Sequence, residues 1–195
     1  VSRGDIESVV TATGSVKAMT LVEVGSQVSG VISRMAVDFN SEVKKGQILA
    51  EIDPQPSRAK VAQSNANYLS AQAALEKAKV TLANLKSKYE RSVSLARAKL
   101  ISPEELEAAE ASYLQAKSSL EDAKSGVDRT RSALESSRLD LGYCTIRAPI
   151  EGIVISRSME AGQTVQANFQ AVKMFEIASD LSKMKVECDV DEADV

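Results

Sequence analysis

The residue types that most often carry out catalysis are scarce in this chain of 195 residues. It has no histidine, which excludes a histidine-based catalytic triad, a histidine general base and a histidine-rich zinc site. Its two cysteines, Cys144 and Cys188, are too few for a disulfide framework or a four-thiolate site, and buried apolar thiols are the simpler interpretation. The acidic residues Asp191, Glu192 and Asp194 lack the spacing and glycine turn of a calcium loop, so we interpret them as a strand end. The sequence therefore predicts no catalytic residue and no metal site.

The composition excludes further classes of function. With 24 basic and 27 acidic residues the net charge is −3, which gives no global attraction for nucleic acid, and we expect no nucleic-acid partner. Aromatic residues make up 4% of the sequence and tryptophan is absent, which leaves few side chains on which bases or sugars could stack. No apolar run approaches the ~18 residues of a membrane span. Because the chain starts at Val1 and stops just after a predicted strand, we interpret it as part of a longer protein.

A heptad pattern dominates the middle of the chain. Residues 57–141 are nearly free of glycine and proline and are rich in alanine, serine, leucine, lysine and glutamate, a composition typical of long helices. The larger seam residues recur every seven positions at Val61, Tyr68, Leu75, Leu82, Tyr89 and Ala96, and again at Leu106, Tyr113, Leu120, Val127, Leu134 and Leu141. The smaller seam residues follow three positions later, at Ser64, Ala71, Ala78, Leu85 and Ser92, and at Ala109, Ala116, Ala123, Thr130 and Ser137. This pattern predicts a left-handed coiled coil.

The heptads break once, between Leu100 and Glu105. Ser102 is a suitable N-cap, Pro103 a suitable first helical residue, and Glu105 completes a capping box. We therefore predict one helix that ends near Lys99 and a second that begins at Pro103 and ends at Gly142. So short a connection makes the two helices antiparallel neighbours.

The two flanks of this helical stretch resemble each other and have the composition of β-strands. Each contains a glycine followed by Val and Ile residues, a valine thirteen positions after that glycine, and a final Glu-Ile pair. The matching residues are Gly30, Val43 and Ile52 in the first flank, and Gly152, Val165 and Ile177 in the second. This internal repeat predicts one small β domain built from both flanks, in which Val43, Ile48, Ile52, Val154, Val165 and Ile177 share a core. The outermost strands, Val9–Thr13 and Met184–Val190, are predicted to pair in a third, truncated β unit.

These motifs carry a family resemblance. The segment Glu42–Asp53 resembles the first half of a biotinyl/lipoyl-type domain, and Arg147–Gly152 with Ala161–Val165 resembles the second half. Two halves split by a long helical hairpin resemble the periplasmic adaptors, or membrane fusion proteins, of tripartite efflux pumps. Gly4-Asp5-Ile6, Ala12-Thr13-Gly14 and Asp191–Asp194 are similar to the macrolide-exporter branch, whose members work with an ABC transporter.

The pattern and the resemblance together predict an α+β multidomain fold. A lipoyl-type β domain, residues 20–55 and 143–182, is split by a long antiparallel α-helical coiled-coil hairpin, residues 56–142. Residues 1–19 and 183–195 would form part of a β-barrel domain.

The resemblance also implies a function without chemistry. The expected role is a periplasmic adaptor subunit that links an inner-membrane transporter, of ABC type, to an outer-membrane channel for export of drugs or other small molecules. Such adaptors assemble into a ring, for which the family suggests six copies, and the longer protein would be anchored to the inner membrane. No enzymatic activity and no cofactor are expected.

The resemblance places a channel-docking signature at the hairpin tip: an arginine, a leucine four residues later and a serine seven residues after that. Arg91, Leu95 and Ser102 have this spacing. A structural interpretation remains open for two of them, because Arg91 could be a solvated helix residue and Ser102 is already explained as an N-cap. Leu95 lies outside both seam positions, so we expect an exposed apolar side chain near the tip.

Two further candidates also follow from the resemblance. Gln170, in the loop Ala167–Val172, matches the glutamine-bearing loop that lines the ring opening as a one-way gate in macrolide-type adaptors. An ordinary polar loop is the alternative. Lys44 and Lys45 are unsuited to biotin or lipoate attachment, because the hairpin replaces the turn that carries the modified lysine in carrier proteins. We interpret both lysines as a solvated turn.

Three other functions are consistent with parts of the sequence. A type I protein-secretion adaptor has the same architecture, but those usually have longer hairpins. A biotinyl or lipoyl carrier domain would show an added group in intact-protein mass spectrometry. An enzyme with a coiled-coil arm is disfavoured by the lack of histidine and of a nucleotide-binding loop.

Overall fold

The structure, a computed structural model, describes residues 13–18, 20–167, 173–179 and 184–189. The chain divides into two compact units. The β unit comprises Val1–Asp53 and Tyr143–Val195, and the helical unit comprises Pro54–Gly142.

Two long helices make up the helical unit. Helix α1 spans Gln55–Arg97 and helix α2 spans Pro103–Tyr143. Contacts between them run in opposite directions along the chain, because Lys60 Nζ lies 2.7 Å from Asp140 Oδ2 while the rings of Tyr89 and Tyr113 stack with centroids 5.5 Å apart. The predicted antiparallel hairpin is therefore confirmed.

The seam of the hairpin coincides with the predicted heptad positions. All of the seam residues predicted from the sequence are half-buried or buried, whereas most other residues of both helices are exposed. Four positions on α2 are fully buried: Ala109, Ala116, Leu134 and Ser137. Helix α1 has no fully buried residue.

Both predicted helix ends lie within two residues of the observed ends. Helix α1 ends at Arg97, two residues before Lys99, because Lys99 adopts a left-handed conformation with φ of 57°. Gly142 does not end α2 but lies inside it, and the helix continues to Tyr143. Glycine permits a left-handed helix end without requiring one, and Gly142 keeps a negative φ.

Within the residues that the structure describes, the β unit has two four-stranded sheets and a separate strand pair. The first sheet has the order β2-β9-β7-β4, with β2 at Leu21–Gly25, β9 at Lys173–Ala178, β7 at Gly152–Arg157 and β4 at Glu42–Val43. The second has the order β6-β5-β3-β8, with β6 at Thr145–Arg147, β5 at Ile48–Ile52, β3 at Gly30–Met35 and β8 at Thr164–Val165. Every sheet pairing is antiparallel.

The internal repeat determines how these sheets are built. Strand β3 of the first flank pairs with β8 of the second, which puts Gly30 opposite Val165. Strand β7 of the second flank pairs with β4 of the first, which puts Gly152 opposite Val43. Each sheet therefore combines strands from both flanks, and neither flank could complete a sheet alone.

One core joins the two flanks. It includes five of the six predicted residues, Val43, Ile52, Val154, Val165 and Ile177. The sixth, Ile48, was predicted wrongly, because Ile48 is half-buried and its neighbours Leu49 and Ala50 are both buried. The pairing of β5 with β6 is irregular between Ile48 and Ala50, which breaks the alternation on which that prediction depended.

The strand pair consists of β1, Thr13–Ala18, and β10, Met184–Asp189. They pair antiparallel, with Thr13 opposite Asp189 and Ala18 opposite Met184. Pairing between the first and last segments of the chain is therefore confirmed, but β1 overlaps the predicted strand Val9–Thr13 only at Thr13. Residues 9–12 and Val190 lie outside the described residues.

Candidate docking site at the hairpin tip

Helix α1 ends in a Schellman motif. The amide of Leu100 donates to the carbonyl oxygen of Leu95 over 3.0 Å, and the amide of Lys99 donates to that of Ala96 over 2.9 Å. Lys99, with φ of 57°, is the left-handed residue that such a motif requires. The motif fixes the direction in which the chain leaves α1, so the five-residue tip, residues 98–102, is a defined turn.

Helix α2 begins with the predicted capping box. The amide of Glu105 donates to Ser102 Oγ over 3.2 Å, and the amide of Ser102 donates to Glu105 Oε2 over 3.3 Å. Glu104 and Glu105 in the first turn also complement the positive end of the helix dipole. Ser102 therefore has a structural role whatever else it does.

The three residues of the docking signature are all exposed, but they do not form one cluster. Arg91 and Leu95 lie one turn apart on α1 and line a shallow hollow of about 380 Å³ together with Ser87, Glu90 and Ser94. Leu95 is 42% exposed, although it lies in the last turns of a helix whose seam is apolar. Ser102 is exposed at the start of α2 and does not line that hollow.

Two residues at the tip were missed by the sequence analysis. Leu100 has the most exposed side chain among the large apolar residues that the structure describes, at 70%. The Schellman motif characteristically sets the residue at its end, here Leu100, against the one at the Leu95 position. Lys99 was missed because a left-handed helix end is usually signalled by glycine, and lysine gives no such signal.

A second groove runs along the hairpin between the helices. It has a volume of about 540 Å³ and is lined mostly by small side chains, among them Ala74, Ala78, Ala116 and Ala123. Small residues at these positions let another helix approach closely. The groove lies within the helical unit and is separate from the hollow at the tip.

The other residues singled out in the sequence either lie outside the described residues or form no cluster that could bind a ligand. Gln170, Asp191, Glu192 and Asp194 lie outside the described residues. Lys44 and Lys45 are exposed in the turn after β4, and Cys144 is buried in the β core at 4% exposure. Within the described ranges, no three His, Cys, Asp or Glu side chains lie close enough together to hold a metal ion.

One pKa shift accompanies an ion pair of the β unit. The hydrogen bond that Lys173 donates to Glu23 raises the pKa of Lys173 above its ordinary value. The pair is exposed and joins neighbouring strands β9 and β2, so it supports the sheet and has no geometry for proton transfer to a substrate. In the part of the chain that the structure covers, no helix is both long and apolar enough to cross a bilayer.

Comparison with known proteins identifies the family. Residues 20–175 match the family model described as "RND MFP, barrel-sandwich hybrid domain". The chain belongs to this family of membrane fusion proteins. The matched range includes the whole hairpin and most of both flanks of the β unit, and it ends within β9.

Individual relatives agree with this family. The chain is 31% identical to the macrolide export protein MacA of Escherichia coli O157:H7, over 98% of this chain and 52% of the relative. It is 36% identical to the pyoverdine export membrane fusion protein PvdR of Pseudomonas aeruginosa, over 100% of this chain and 50% of the relative. The chain thus spans about half the length of the curated relatives that it matches.

A solved structure confirms the fold class. The crystal structure of MacA from Actinobacillus actinomycetemcomitans superposes with a TM-score of 0.87 at 35% sequence identity, covering 99% of this chain and 59% of that one. The predicted α+β fold, a lipoyl-type β domain split by a helical hairpin and accompanied by part of a β-barrel domain, is therefore the fold of this membrane fusion protein.

Proposed function

We propose that this membrane fusion protein is a periplasmic adaptor that links an inner-membrane transporter to an outer-membrane channel for export of drugs or other small molecules. The relatives named for macrolide export and pyoverdine export support export of small molecules. The transporter would be of ABC type, as the resemblance to the macrolide-exporter branch implies. The protein would act in the periplasm, anchored to the inner membrane, and would catalyse no reaction and bind no cofactor.

The exposed apolar tip of the hairpin is the observation that carries this proposal. Leu95 is off the seam and 42% exposed, so packing between the two helices does not explain it. It shares a hollow with Arg91, whose guanidinium has no ion-pair partner among the described residues. An apolar anchor beside an unpaired guanidinium suits the end of a helical channel, where Leu95 fills a groove between helices and Arg91 donates to carbonyls or carboxylates.

Self-association is the second part of the proposal. Adaptors of this type form a ring, and six copies is the number that the resemblance implies. The small-residue groove formed by Ala74, Ala78, Ala116 and Ala123 gives one hairpin a surface on which the next can pack closely. Gln170 would line the ring opening as a gate, and Gln170→Ala should then change export while stability and assembly stay as in the wild type.

Cross-linking in cells tests the docking. The full-length protein would carry a photo-reactive residue in place of Ser94, which lies in the hollow with Arg91 and Leu95. We expect a cross-link to an outer-membrane channel, identified by mass spectrometry, and its loss in the Leu95→Asp and Arg91→Asp variants. The same photo-reactive residue in place of Lys44, in the exposed turn of the β unit, is the matched control and should give no channel adduct. The absence of any channel adduct from position 94 would disprove the docking.

A further inference from the structure

The tip contains a lysine where the backbone favours glycine. Lys99 has φ of 57°, a left-handed conformation that strains any residue with a Cβ and that glycine adopts freely. The Schellman motif formed by Lys99 and Leu100 requires this conformation but no side chain at that position. Backbone strain of this kind clusters at functional positions, where the surrounding structure holds it in place. A cation at the C-terminal end of α1 interacts favourably with the helix dipole, but this gain does not offset the larger cost of the left-handed conformation.

The ammonium group of Lys99 forms no ion pair with a described residue of the hairpin. No described residue forms an ion pair with Lys99, Arg97 or Arg91, all of which lie at or near the end of α1. Some exposed lysines of the helices have partners, as Lys79 does with Glu76 over 2.7 Å and Lys124 with Glu121 over 2.8 Å, whereas others, such as Lys88 and Lys117, form no ion pair with a described residue. The last turns of α1 thus contain cations that form no ion pair with a described residue, although Glu90 lines the same hollow as Arg91.

Leu100 lies next to this cation at the apex. Its amide is held by Leu95, yet its side chain is 70% exposed. An apolar side chain on a backbone that is already ordered loses little conformational entropy when it is buried by a partner, which is typical of interface anchors.

We propose that Lys99 and Leu100 are docking residues that extend the tip signature. Leu100 would enter an apolar depression at the end of the outer-membrane channel, and Lys99 would bind carboxylates or carbonyl oxygens at its rim. This inference rests on the proposed channel docking and adds two contacts to it. The partner is thereby specified as an apolar depression with a rim of hydrogen-bond acceptors.

A purely structural role and a docking role predict opposite results for Lys99→Gly. Glycine relieves the backbone strain, so the amide of Leu100 should exchange its hydrogen as slowly as in the wild type or more slowly. If Lys99 serves only the fold, such a variant should dock normally. If Lys99 binds the channel, docking should weaken although the tip is better ordered.

The experiment measures binding of the full-length protein to the purified channel that the cross-linking identifies. We expect Lys99→Gly to weaken binding about fivefold at low salt, and the difference to shrink at ~0.5 M NaCl because a charge contact is screened. Lys99→Arg keeps both charge and strain and should bind like the wild type. Leu100→Ser should weaken binding about tenfold, with little dependence on salt. Hydrogen exchange of the tip amides, measured by mass spectrometry, verifies that each variant keeps the turn.

The outcomes separate this inference from the docking itself. If Leu95→Asp abolishes binding while Lys99→Gly and Leu100→Ser bind like the wild type, the signature stands and the two added contacts are wrong. If the wild type does not bind the channel, the docking is wrong and this inference with it. Weakened binding by both apex variants, with an intact turn, supports the inference.

Discussion

Two glycines at equivalent positions of the internal repeat, Gly30 and Gly152, leave no room for a side chain. A Cβ at Gly30 would lie 2.6 Å from Ile52 Cγ2, and a Cβ at Gly152 would lie 2.0 Å from the carbonyl oxygen of Ala178. Backbone cannot move aside as a side chain can, so the contact at Gly152 is the more severe. The sequence showed both glycines as matching positions of the internal repeat. The close approach of neighbouring strands explains why both positions are glycine.

Gly152→Ala should therefore destabilise the β unit by about 3 kcal/mol or more, because strands β7 and β9 would have to separate. The measurement is urea unfolding followed by circular dichroism. Gly126→Ala is the control, since Gly126 lies inside α2 with nothing within 4 Å of the added Cβ. That change should leave stability equal or raise it by up to about 1 kcal/mol. A mild effect at Gly152 would mean that the strands tolerate the shift.

Two leucines of α1 separate docking from folding. Leu82 is half-buried in the seam, whereas Leu95 is exposed off it. Leu82→Asp would place a carboxylate in the seam and should cost about 2–4 kcal/mol, while Leu95→Asp should cost less than about 1 kcal/mol. Unfolding curves and channel cross-linking, measured on both variants, test this contrast. Unfolding of the hairpin by Leu95→Asp would make Leu95 a packing residue and contradict its docking role.

At the level of elements, local signals predicted the hairpin well and its ends less well. The seam and the capping box of Ser102 could be predicted because each depends on side chains a few residues apart. The end of α1 could not, because its left-handed residue is Lys99 and the motif depends on backbone hydrogen bonds that sequence does not display. The docking signature predicted Arg91 and Leu95 as exposed residues near the tip. It did not predict Leu100, because the signature specifies only the arginine, leucine and serine positions.

Gly142 tests the corrected end of α2. The residue is helical and a Cβ added to it would meet nothing within 4 Å, so Gly142→Ala should raise the free energy of unfolding by about 0.5–1 kcal/mol. Gly46→Ala is a matched control, because Gly46 also has nothing within 4 Å but has φ of 84°. The strained backbone there should make Gly46→Ala destabilising by about 1 kcal/mol. Chemical denaturation of both variants measures whether each substitution raises or lowers the free energy of unfolding. A loss of stability in Gly142→Ala would mean that Gly142 ends the helix.

At the level of the whole molecule, the repeat predicted that strands of the two flanks share a core. It did not predict which strand of one flank pairs with which strand of the other. Matching glycines and valines in the two flanks implied one domain, and Gly30 indeed pairs with Val165 and Gly152 with Val43. The irregular pairing near Ile48 could not be predicted, because it depends on contacts between strands far apart in sequence. The order of strands within each sheet likewise follows from long-range pairing that periodicity does not encode.

Because each sheet combines strands from both flanks, we expect the β unit to need both flanks for folding but not the hairpin. The amide of Ile52 donates to the carbonyl oxygen of Cys144 over 2.8 Å, so the chain leaves and re-enters the β unit at adjacent residues. Residues 54–142 could then be replaced by Asn-Gly, which closes a tight hairpin between antiparallel strands β5 and β6. We expect this shortened chain to fold, with a dispersed NMR spectrum and a cooperative melting transition, while channel cross-linking and export are lost.

Residues 20–53 alone should stay unfolded, because Ile32 and Ile52 pack in a core completed by Val154 and Ile177. A dispersed spectrum from residues 20–53 alone, or an unfolded shortened chain, would contradict this account of how the two flanks form one unit.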